Sequence, residues 1–353
     1  MPAADWNHYL RAPVGHDSYQ RVARYYDGAL EALRQTIARL LQTHRPARLA
    51  CLGAGYLFDL ALAELVRYGE EIYLVDWIPG ISAQGFRGSL ISYQDRHPSC
   101  VLCKLEHPQR FCGAFSGRVA EQEVCATFIP DGKRSGECAR YCPGPQPIFL
   151  QQDITSGRAE RFAQQCLHCI VDSAEPDQAF IKAEHCCDQL ATNYAPLTIP
   201  EHSIDLATSS MVVSQFDNEP YSYFSLLLER RFGREQLLAQ ESQLMPLMER
   251  LRRKLFVLLC EGHIHEMWRI LSTNGVAYIN LELFRSEDER NYFLTHDMPL
   301  ALEIIDRYFH FDFTGIEPSQ ALRPTRIGDG ISIIDNLLLR PRQQPVKTGS
   351  AGA

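Results

Sequence analysis

The chain has 353 residues, of which 45% are apolar and 22% charged, and a formal net charge of −8. This length can bury a large core, and the composition is that of a soluble globular protein. The negative charge argues against a nucleic acid binder that works by bulk electrostatics. No apolar run reaches the ~20 residues of a membrane span, and the N-terminus lacks an export signal. We therefore predict a cytoplasmic protein without a membrane partner.

The first predicted element is a helix over residues 17–43, where apolar side chains recur at helical spacing. Asp17 or Ser18 supplies its N-cap. We expect residues 1–45 to form an N-terminal helical cap.

Two apolar runs, 48–53 and 71–76, predict strands on either side of a helix over 57–68. The first run ends in Gly53-Ala54-Gly55 and the second in Asp76. Glycines at such a turn let a ligand lie close to the backbone, and an acid at the next strand end can accept both hydroxyls of a ribose. The unit therefore predicts a nucleoside-containing ligand, although any βαβ crossover can use glycines simply to turn.

The nucleoside ligand is either a nicotinamide dinucleotide or S-adenosylmethionine (SAM). The dinucleotide motif requires a small residue three positions after the second glycine, where this chain has Phe58, followed by Asp59. A bulky ring and a negative charge both oppose a diphosphate. SAM carries a cationic sulfonium and no phosphate, so the sequence favours SAM.

Residues 77–147 show little periodicity and are too long for a simple connection, so we predict an insertion with its own source of order. In a reducing compartment its six cysteines indicate metal ligands more than disulfides. Zinc is the leading ion, an iron–sulfur cluster is the alternative, and a bound soft metal or buried free thiols stay open. These cysteines are Cys100, Cys103, Cys112, Cys125, Cys138 and Cys142.

A second cysteine group follows in a predicted pair of helices, 158–172 and 176–190. A helical hairpin would bring these cysteines together as a second metal site or as part of a site shared with the insertion. They are Cys166, Cys169, Cys186 and Cys187. His107 is a further candidate ligand for the insertion.

The remaining predicted elements alternate between strands and helices, apart from a long excursion over 217–260. They are strands at 147–153 (ending in Asp153) and 203–211, a helix at 234–259 kinked by Pro246, a helix at 261–272, a turn at Thr273-Asn274-Gly275 with a strand after it, a helix at 295–308, and strands at 310–315 and 331–339.

This order resembles the class I SAM-dependent methyltransferases, which implies an α/β fold with a doubly wound, seven-stranded, mostly parallel sheet. The resemblance implies that Gly53 and Gly55 face the methionine end of SAM, that Asp76 holds the ribose and that Asp153 contacts the adenine amine. It extends the cofactor-binding set to Ala54, Trp77, Ile154, Ser209 and Tyr19. Tyr19, in the N-terminal helix, resembles the segment that closes over SAM in members with small substrates.

Two positions depart from the family. Cys51 stands where the family has an acid, and Leu57 stands where it has a third glycine. The predicted methyltransferase domain spans 46–340, with the Cys-rich insertion at 77–147 and a helical lid at 217–260, and 341–353 form a flexible tail.

Methyl transfer depends more on in-line positioning than on a strong base, so the sequence need not contain an obvious catalytic residue. Candidates are Ser210, Gln215 and Tyr221. A set of His263, His265 and Glu266 is another possibility, but we favour their lying along a helix face. The aromatic lid suits a small molecule or modified peptide as acceptor. The alternatives are an RNA or protein methyltransferase that uses the cysteine module for partner recognition, and a non-catalytic SAM or metal sensor.

Overall fold

The computed structural model describes residues 6–11, 31–55, 57, 59–60, 65, 68–78, 81–82, 147–210, 212–286, 293–294, 298–312, 322–327 and 330–343. The strands in these ranges are β1 (Arg48–Leu52), β2 (Glu71–Asp76), β3 (Ile148–Gln151), β4 (Ile204–Ser209), β5 (Leu271–Ser286), β6 (Phe293–Leu294), β7 (Phe309–Phe311), β8 (Leu322–Ile327) and β9 (Gly330–Pro341). The helices are α1 (Trp6–Arg11), α2 (Glu31–His44), α3 (Arg158–Val171), α4 (Pro176–Leu190), α5 (Asn218–Phe232), α6 (Arg234–Ala239), α7 (Glu241–Ile270) and α8 (Met298–Tyr308).

Hydrogen bonding orders seven strands as β3-β2-β1-β4-β5-β9-β7, with β6 beside β5 and β8 beside β9. The predicted α/β fold with a seven-stranded sheet is confirmed in this order. The sheet is mixed, which corrects the prediction of a mostly parallel one. Ladders β1–β2, β1–β4 and β2–β3 are parallel, whereas β9 is antiparallel to β5, β7 and β8. The placement of helices on both faces stays a prediction.

The chain divides into two compact units. One consists of Val14–Gln151 and Ile204–Thr208 and contains the parallel strands. Most residues of β1 and β2 are buried, as expected for parallel strands, and this explains their near-continuous apolar runs. In α2, Leu33, Ile37, Leu40 and Leu41 are buried at helical spacing.

The other unit consists of Met1–Pro13, Gln152–Ser203 and Ser209–Ala353. Helices α3 and α4 form a hairpin, and Pro176 occupies the first turn of α4, where its missing N–H costs no hydrogen bond. Phe224 of α5 packs edge-on against Phe180 of α4, with ring centroids 5.2 Å apart. Trp6 of α1 packs edge-on against Tyr223 of α5 at 5.0 Å.

Several predicted elements agree with the structure to within a few residues. The strand at 71–76 and the helix at 176–190 have the predicted limits, and the helix at 158–172 ends one residue earlier. The helix at 17–43 is observed from Glu31, while its proposed cap lies outside the described residues. The helix predicted from 57 starts later, because 57, 59 and 60 are turn residues.

Two boundaries were wrong. The helices predicted at 234–259 and 261–272 are largely one continuous helix, α7, which includes Pro246 in its interior. The turn predicted at 273–275 lies within β5. None of the helices in the described ranges combines the length and apolar character needed to cross a membrane.

Candidate functional site

The glycine turn lies between the C-terminal ends of β1 and β2, which pair in parallel with Leu52 opposite Val75. Gly53 and Gly55 have φ values of 71° and 51°. Glycine adopts this left-handed region without the strain that a Cβ adds, so the two glycines suit the path of the backbone at this turn. The apolar strand and its glycines therefore create a sharp turn next to the strand that carries Asp76.

The amide groups of this turn are already hydrogen-bonded within the protein. The N–H groups of Gly53 and Ala54 both donate to the carbonyl of Val75, at 2.8 and 3.0 Å. The N–H of Gly55 donates to Oδ2 of Asp76 at 2.9 Å. Phosphate-binding turns work by pointing free amides at the anion. Among the described residues of the turn, these three amides are therefore engaged within the protein and do not point at a ligand anion.

Asp76 is 9% exposed and accepts a second backbone hydrogen bond, from the N–H of Ile78 to Oδ1 at 2.9 Å. Burial raises its pKa to about 6, and the N–H groups of Ile78, Gly55 and Trp77 limit that rise. A carboxylate has about four acceptor positions. Three backbone donors therefore leave Asp76 with capacity for a ligand hydroxyl.

Among the described residues, and apart from its own chain neighbours, Gly55 has space on its side-chain side. A Cβ placed there would meet one heavy atom of this set within 4 Å, the carbonyl oxygen of Gly53 at 3.9 Å. The predicted approach of a ligand to the main chain at this glycine stays a prediction.

Cys51 and Leu57, the two positions that depart from the methyltransferase pattern, are both buried. Cys51 is buried in β1, and burial raises its pKa to about 12, while a hydrogen bond with Thr208 lowers it. Asp59 lies close enough for its charge to raise that pKa further. Leu57 is 3% exposed and has a φ of 65°, so the left-handed backbone persists where the glycine is missing. The buried leucine side chain offsets part of the strain.

Asp153 belongs to the other unit and holds the start of α3. Its Oδ1 accepts hydrogen bonds from the N–H and the hydroxyl of Thr155, at 2.8 and 2.5 Å. Its Oδ2 accepts one from the N–H of Glu160 at 2.9 Å. Burial raises the pKa of Asp153, and the hydrogen bonds from these donors limit the rise. The side chain thus stabilises a helix N-terminus, and its contact with adenine stays a prediction.

Ser209 forms a buried pair with His263. Nδ1 of His263 lies 3.2 Å from the carbonyl oxygen of Ile154, and Nε2 lies 2.8 Å from the Ser209 hydroxyl. A carbonyl oxygen can only accept, so Nδ1 carries the proton and Nε2 accepts from Ser209. Burial lowers the pKa of His263 to about 4, which keeps the ring neutral near pH 7.

The three candidate catalytic residues have different environments. Ser210 is 8% exposed and its hydroxyl accepts a hydrogen bond from Nδ2 of Asn280 at 3.0 Å. Gln215 is exposed on a short 3₁₀ helix. Tyr221, on α5, lies under the guanidinium of Arg252, 5.3 Å from the ring centroid. Their catalytic roles stay predictions. The sequence analysis did not identify Asn280 as a candidate site residue. Its position as a polar residue within an apolar strand could have indicated it.

His265 and Glu266 lie on α7 and contact other parts of the same unit. The His265 ring packs against Tyr194 and Tyr308, with centroids 5.0 and 5.6 Å away. Glu266 is fully buried and pairs with Arg269. These contacts account for both side chains as parts of the packing around the helix.

The α3–α4 hairpin brings the second cysteine group together, as predicted. Its four members are buried, but no group of metal-ligating side chains arranged to hold an ion occurs within the described ranges. The structure therefore does not support the predicted zinc or iron–sulfur site there. The predictions for Tyr19, His107 and the six insertion cysteines fall outside the described residues.

Comparison with family models and with curated proteins found no match. Solved structures give distant matches. Magnesium protoporphyrin IX methyltransferase from Synechocystis with bound SAM matches at 11% identity and a TM-score of 0.38, over 96% of this chain and 99% of that one. Human N-acetylserotonin methyltransferase with SAM matches at 11% and 0.35, over 97% and 57%. The PH0226 protein from Pyrococcus horikoshii matches at 10% and 0.38, over 93% and 100%. These matches are too distant to indicate a function for this chain.

Proposed function

We propose that the chain is a SAM-dependent methyltransferase that binds the cofactor at the Gly53–Gly55 turn and Asp76. One observation carries this proposal. In the described part of the turn, the amides of Gly53, Ala54 and Gly55 are used by Val75 and Asp76, while the Asp76 carboxylate keeps acceptor capacity beside Gly55. Such an arrangement favours a nucleoside hydroxyl over a diphosphate as the group bound here.

Each residue of the turn has a role in this proposal. The Asp76 carboxylate accepts a ribose hydroxyl, and the backbone at Gly55 lies against the remainder of the ligand. Asp59 supplies negative charge near Cys51, where the family has its acid, and it attracts the ammonium of the methionine end. SAM, when bound, supplies an electrophilic methyl group on a positively charged sulfur.

The acceptor is a small molecule or a modified peptide in this proposal. A sulfonium needs a well-placed nucleophile more than a strong base. Ser210, whose hydroxyl accepts a hydrogen bond from Asn280, is kept as a candidate catalytic residue. Metal ordering of residues 77–147 near the acceptor site is also part of the proposal. It predicts that the purified protein contains a metal at a fixed ratio to the chain.

The proposal is tested by calorimetric titration of the full chain with SAM, with its demethylated product and with NAD. We expect heat from the first two and none from NAD. Asp76→Ala should weaken SAM binding by about 10- to 100-fold, the cost of lost hydrogen bonds to a charged acceptor.

Asp205→Ala is the matched control for this titration. Asp205 also accepts two backbone amides in the same unit, from Ala47 and Arg48 at 3.0 and 2.9 Å. We expect this variant to bind SAM as the wild type does. Equal losses in the two variants, or no heat with SAM, would refute the proposal.

A SAM sensor without turnover is the second candidate, favoured by Cys51 and Leu57 at positions where the family has an acid and a glycine. Incubation of the protein with labelled SAM and an acceptor library separates the two candidates. A methylated product excludes the sensor, and its absence with intact SAM binding supports it.

A further inference from the structure

His263 is a fully buried residue of α7 whose ring contacts three other segments of the same compact unit. Its Nδ1 donates to the carbonyl oxygen of Ile154, after β3, at 3.2 Å, and its Nε2 accepts from the hydroxyl of Ser209, at the end of β4, at 2.8 Å. The ring also packs against Phe216, just before α5, with centroids 5.0 Å apart. One side chain therefore joins segments that are far apart in the sequence.

The two residues that His263 holds by hydrogen bonds are chain neighbours of candidate site residues. Ile154 follows Asp153, which is predicted to contact adenine, and Ser209 precedes Ser210, a candidate catalytic residue. Ile154 is 5% exposed and Ser209 is fully buried. Both are thus fixed inside the unit, and the main chain that carries the two candidates is fixed with them.

The end of β4 is held by hydrogen bonds to two different elements. Ser209 donates to His263 of α7, and Ser210 accepts from Nδ2 of Asn280 in β5 at 3.0 Å. The proton state of the imidazole is set by the Ile154 carbonyl, which requires a proton on Nδ1 and leaves Nε2 as an acceptor. The Ser209 hydroxyl proton therefore has a defined direction, towards α7.

We propose that His263 is a positioning residue of the cofactor site, which holds the segments at Ile154 and Ser209 in the arrangement that binds SAM. This inference rests on the proposed function. His263 has no exposed surface, so it acts through its two hydrogen-bond partners and not by contact with the ligand. Segments that are ordered before binding lose less conformational freedom when the ligand arrives, and this raises affinity.

The test measures SAM affinity by calorimetry in the wild type, His263→Asn, Ser209→Ala and the double variant. Asparagine keeps an amide N–H for the Ile154 carbonyl and removes the acceptor of the Ser209 hydroxyl. We expect each single change to weaken SAM binding by about 3- to 10-fold, the range of one net hydrogen bond. The double variant should lose little more than either single variant, because both changes remove the same contact.

Tyr278→Phe is the control for a lost buried hydrogen bond elsewhere in the same unit. Tyr278 is fully buried, and its hydroxyl donates to Oδ1 of Asn336 at 2.7 Å. We expect this variant to bind SAM as the wild type does, with the unfolding free energy of every variant measured in urea. An equal affinity loss in Tyr278→Phe and His263→Asn would overturn the positioning role, as would additive losses in the double variant.

The outcomes also separate this proposal from the proposed function. If the wild type binds SAM, Asp76→Ala weakens that binding and His263→Asn leaves it unchanged, the positioning role alone is refuted. If the wild type gives no heat with SAM, both proposals are refuted. Should His263→Asn fail to fold, Ser209→Ala decides, because it removes one fully buried hydroxyl that a ligand cannot touch. Wild-type affinity in that variant overturns the positioning role.

Discussion

Asp76 and His263 are buried titratable residues whose pKa values move in opposite directions for the same reason. Burial disfavours the charged form of each, so the carboxyl rises to about 6 and the imidazole falls to about 4. Both shifts make measurable predictions, one for ligand binding and one for stability.

SAM affinity should depend on pH through Asp76. In the proposed complex a ribose hydroxyl donates to the ionised carboxylate, so protonation below a pKa of about 6 removes the acceptor. We expect affinity to be constant above pH 7 and to fall about tenfold per pH unit below 6. Titration calorimetry between pH 8 and pH 5 measures this, and Asp76→Asn should lack the dependence. A flat wild-type profile would contradict the assignment.

His263 should make the fold sensitive to acid. Its pKa is lowered from 6.5 to about 4, so the unfolded chain takes up a proton at a higher pH than the folded protein does. Its stabilising contribution is present above 6.5 and is lost as pH falls towards 4. We expect the stability difference between wild type and His263→Asn to shift by about 3 kcal/mol towards the variant between pH 7 and pH 4.

Chemical denaturation at both pH values measures that shift. Asn280→Ala is the control, because it removes another buried polar side chain, 1% exposed, that does not titrate. Its cost should be the same at both pH values, and an equal shift in the two variants would exclude His263 as the cause.

Glu266 should be essential to stability because several partners depend on it. It accepts hydrogen bonds from Nε of Arg269 at 2.6 Å and from the Tyr194 hydroxyl at 2.9 Å. Glu266→Ala removes the buried carboxylate that pairs with Arg269, which keeps hydrogen bonds only to the carbonyls of Leu197 and Ile199 and a longer contact with Glu201, and it should lower the unfolding free energy by about 3 kcal/mol. Urea denaturation measures it. Lys254→Ala, which breaks an exposed pair with Asp188, should cost less than about 1 kcal/mol.

The positions of individual residues could be predicted from the sequence where a local pattern determined them. Gly53 and Gly55 lie at the predicted turn and Asp76 at the predicted strand end, while their role in cofactor binding stays a prediction. The Ser209–His263 and Ser210–Asn280 contacts could not be predicted, since each joins residues that are distant in sequence and depends on how the elements pack.

At the scale of elements, helix α7 approaches the loop before α3 through Gly262. A Cβ at this position would meet the carbonyl oxygen of Thr155 at 2.3 Å. We therefore expect Gly262→Ala to lower the unfolding free energy by about 1–3 kcal/mol, although alanine favours helix. Thermal or urea denaturation measures it. Ser242→Ala, at an exposed position of the same helix, should be neutral or slightly stabilising, and similar effects would contradict the steric explanation.

The boundary errors around α7 have a physical cause. A glycine near a predicted helix end normally favours termination, but Gly262 serves close packing in the interior of the helix. The residues Thr273 and Asn274 have turn composition, yet they are exposed positions of an extended strand. The turn-like composition of these two residues therefore fits their exposure to solvent, but it did not predict that their backbone is extended.

At the scale of the whole molecule, the parallel strands were easier to predict than the antiparallel ones. β1 and β2 are buried apolar runs joined through a glycine turn, a strong local pattern. The short strands β6 and β8 were missed. The pairing of β8 with β9 begins at Ile327 and Gly330, and Gly328-Asp329-Gly330 was an available hairpin signal.

SAM should stabilise the entire chain by mass action if it binds the folded form alone. At a concentration of 100 times Kd the expected gain in unfolding free energy is about 2.7 kcal/mol. Differential scanning calorimetry with increasing SAM should show a rising Tm, and NAD at equal concentration should leave Tm unchanged. A rise with NAD alone would indicate the dinucleotide instead.

The junction of α7 and β5 has no loop, since the helix ends at Ile270 and the strand starts at Leu271. The N–H groups of His202 and Ser203 clamp it by donating to the carbonyls of Arg269 and Ile270, at 2.9 and 2.8 Å. Because no residue between them can absorb a movement, we expect a tilt at the C-terminal end of this 30-residue helix to displace the start of the strand. Inserting a few glycines between Ile270 and Leu271 should uncouple the two.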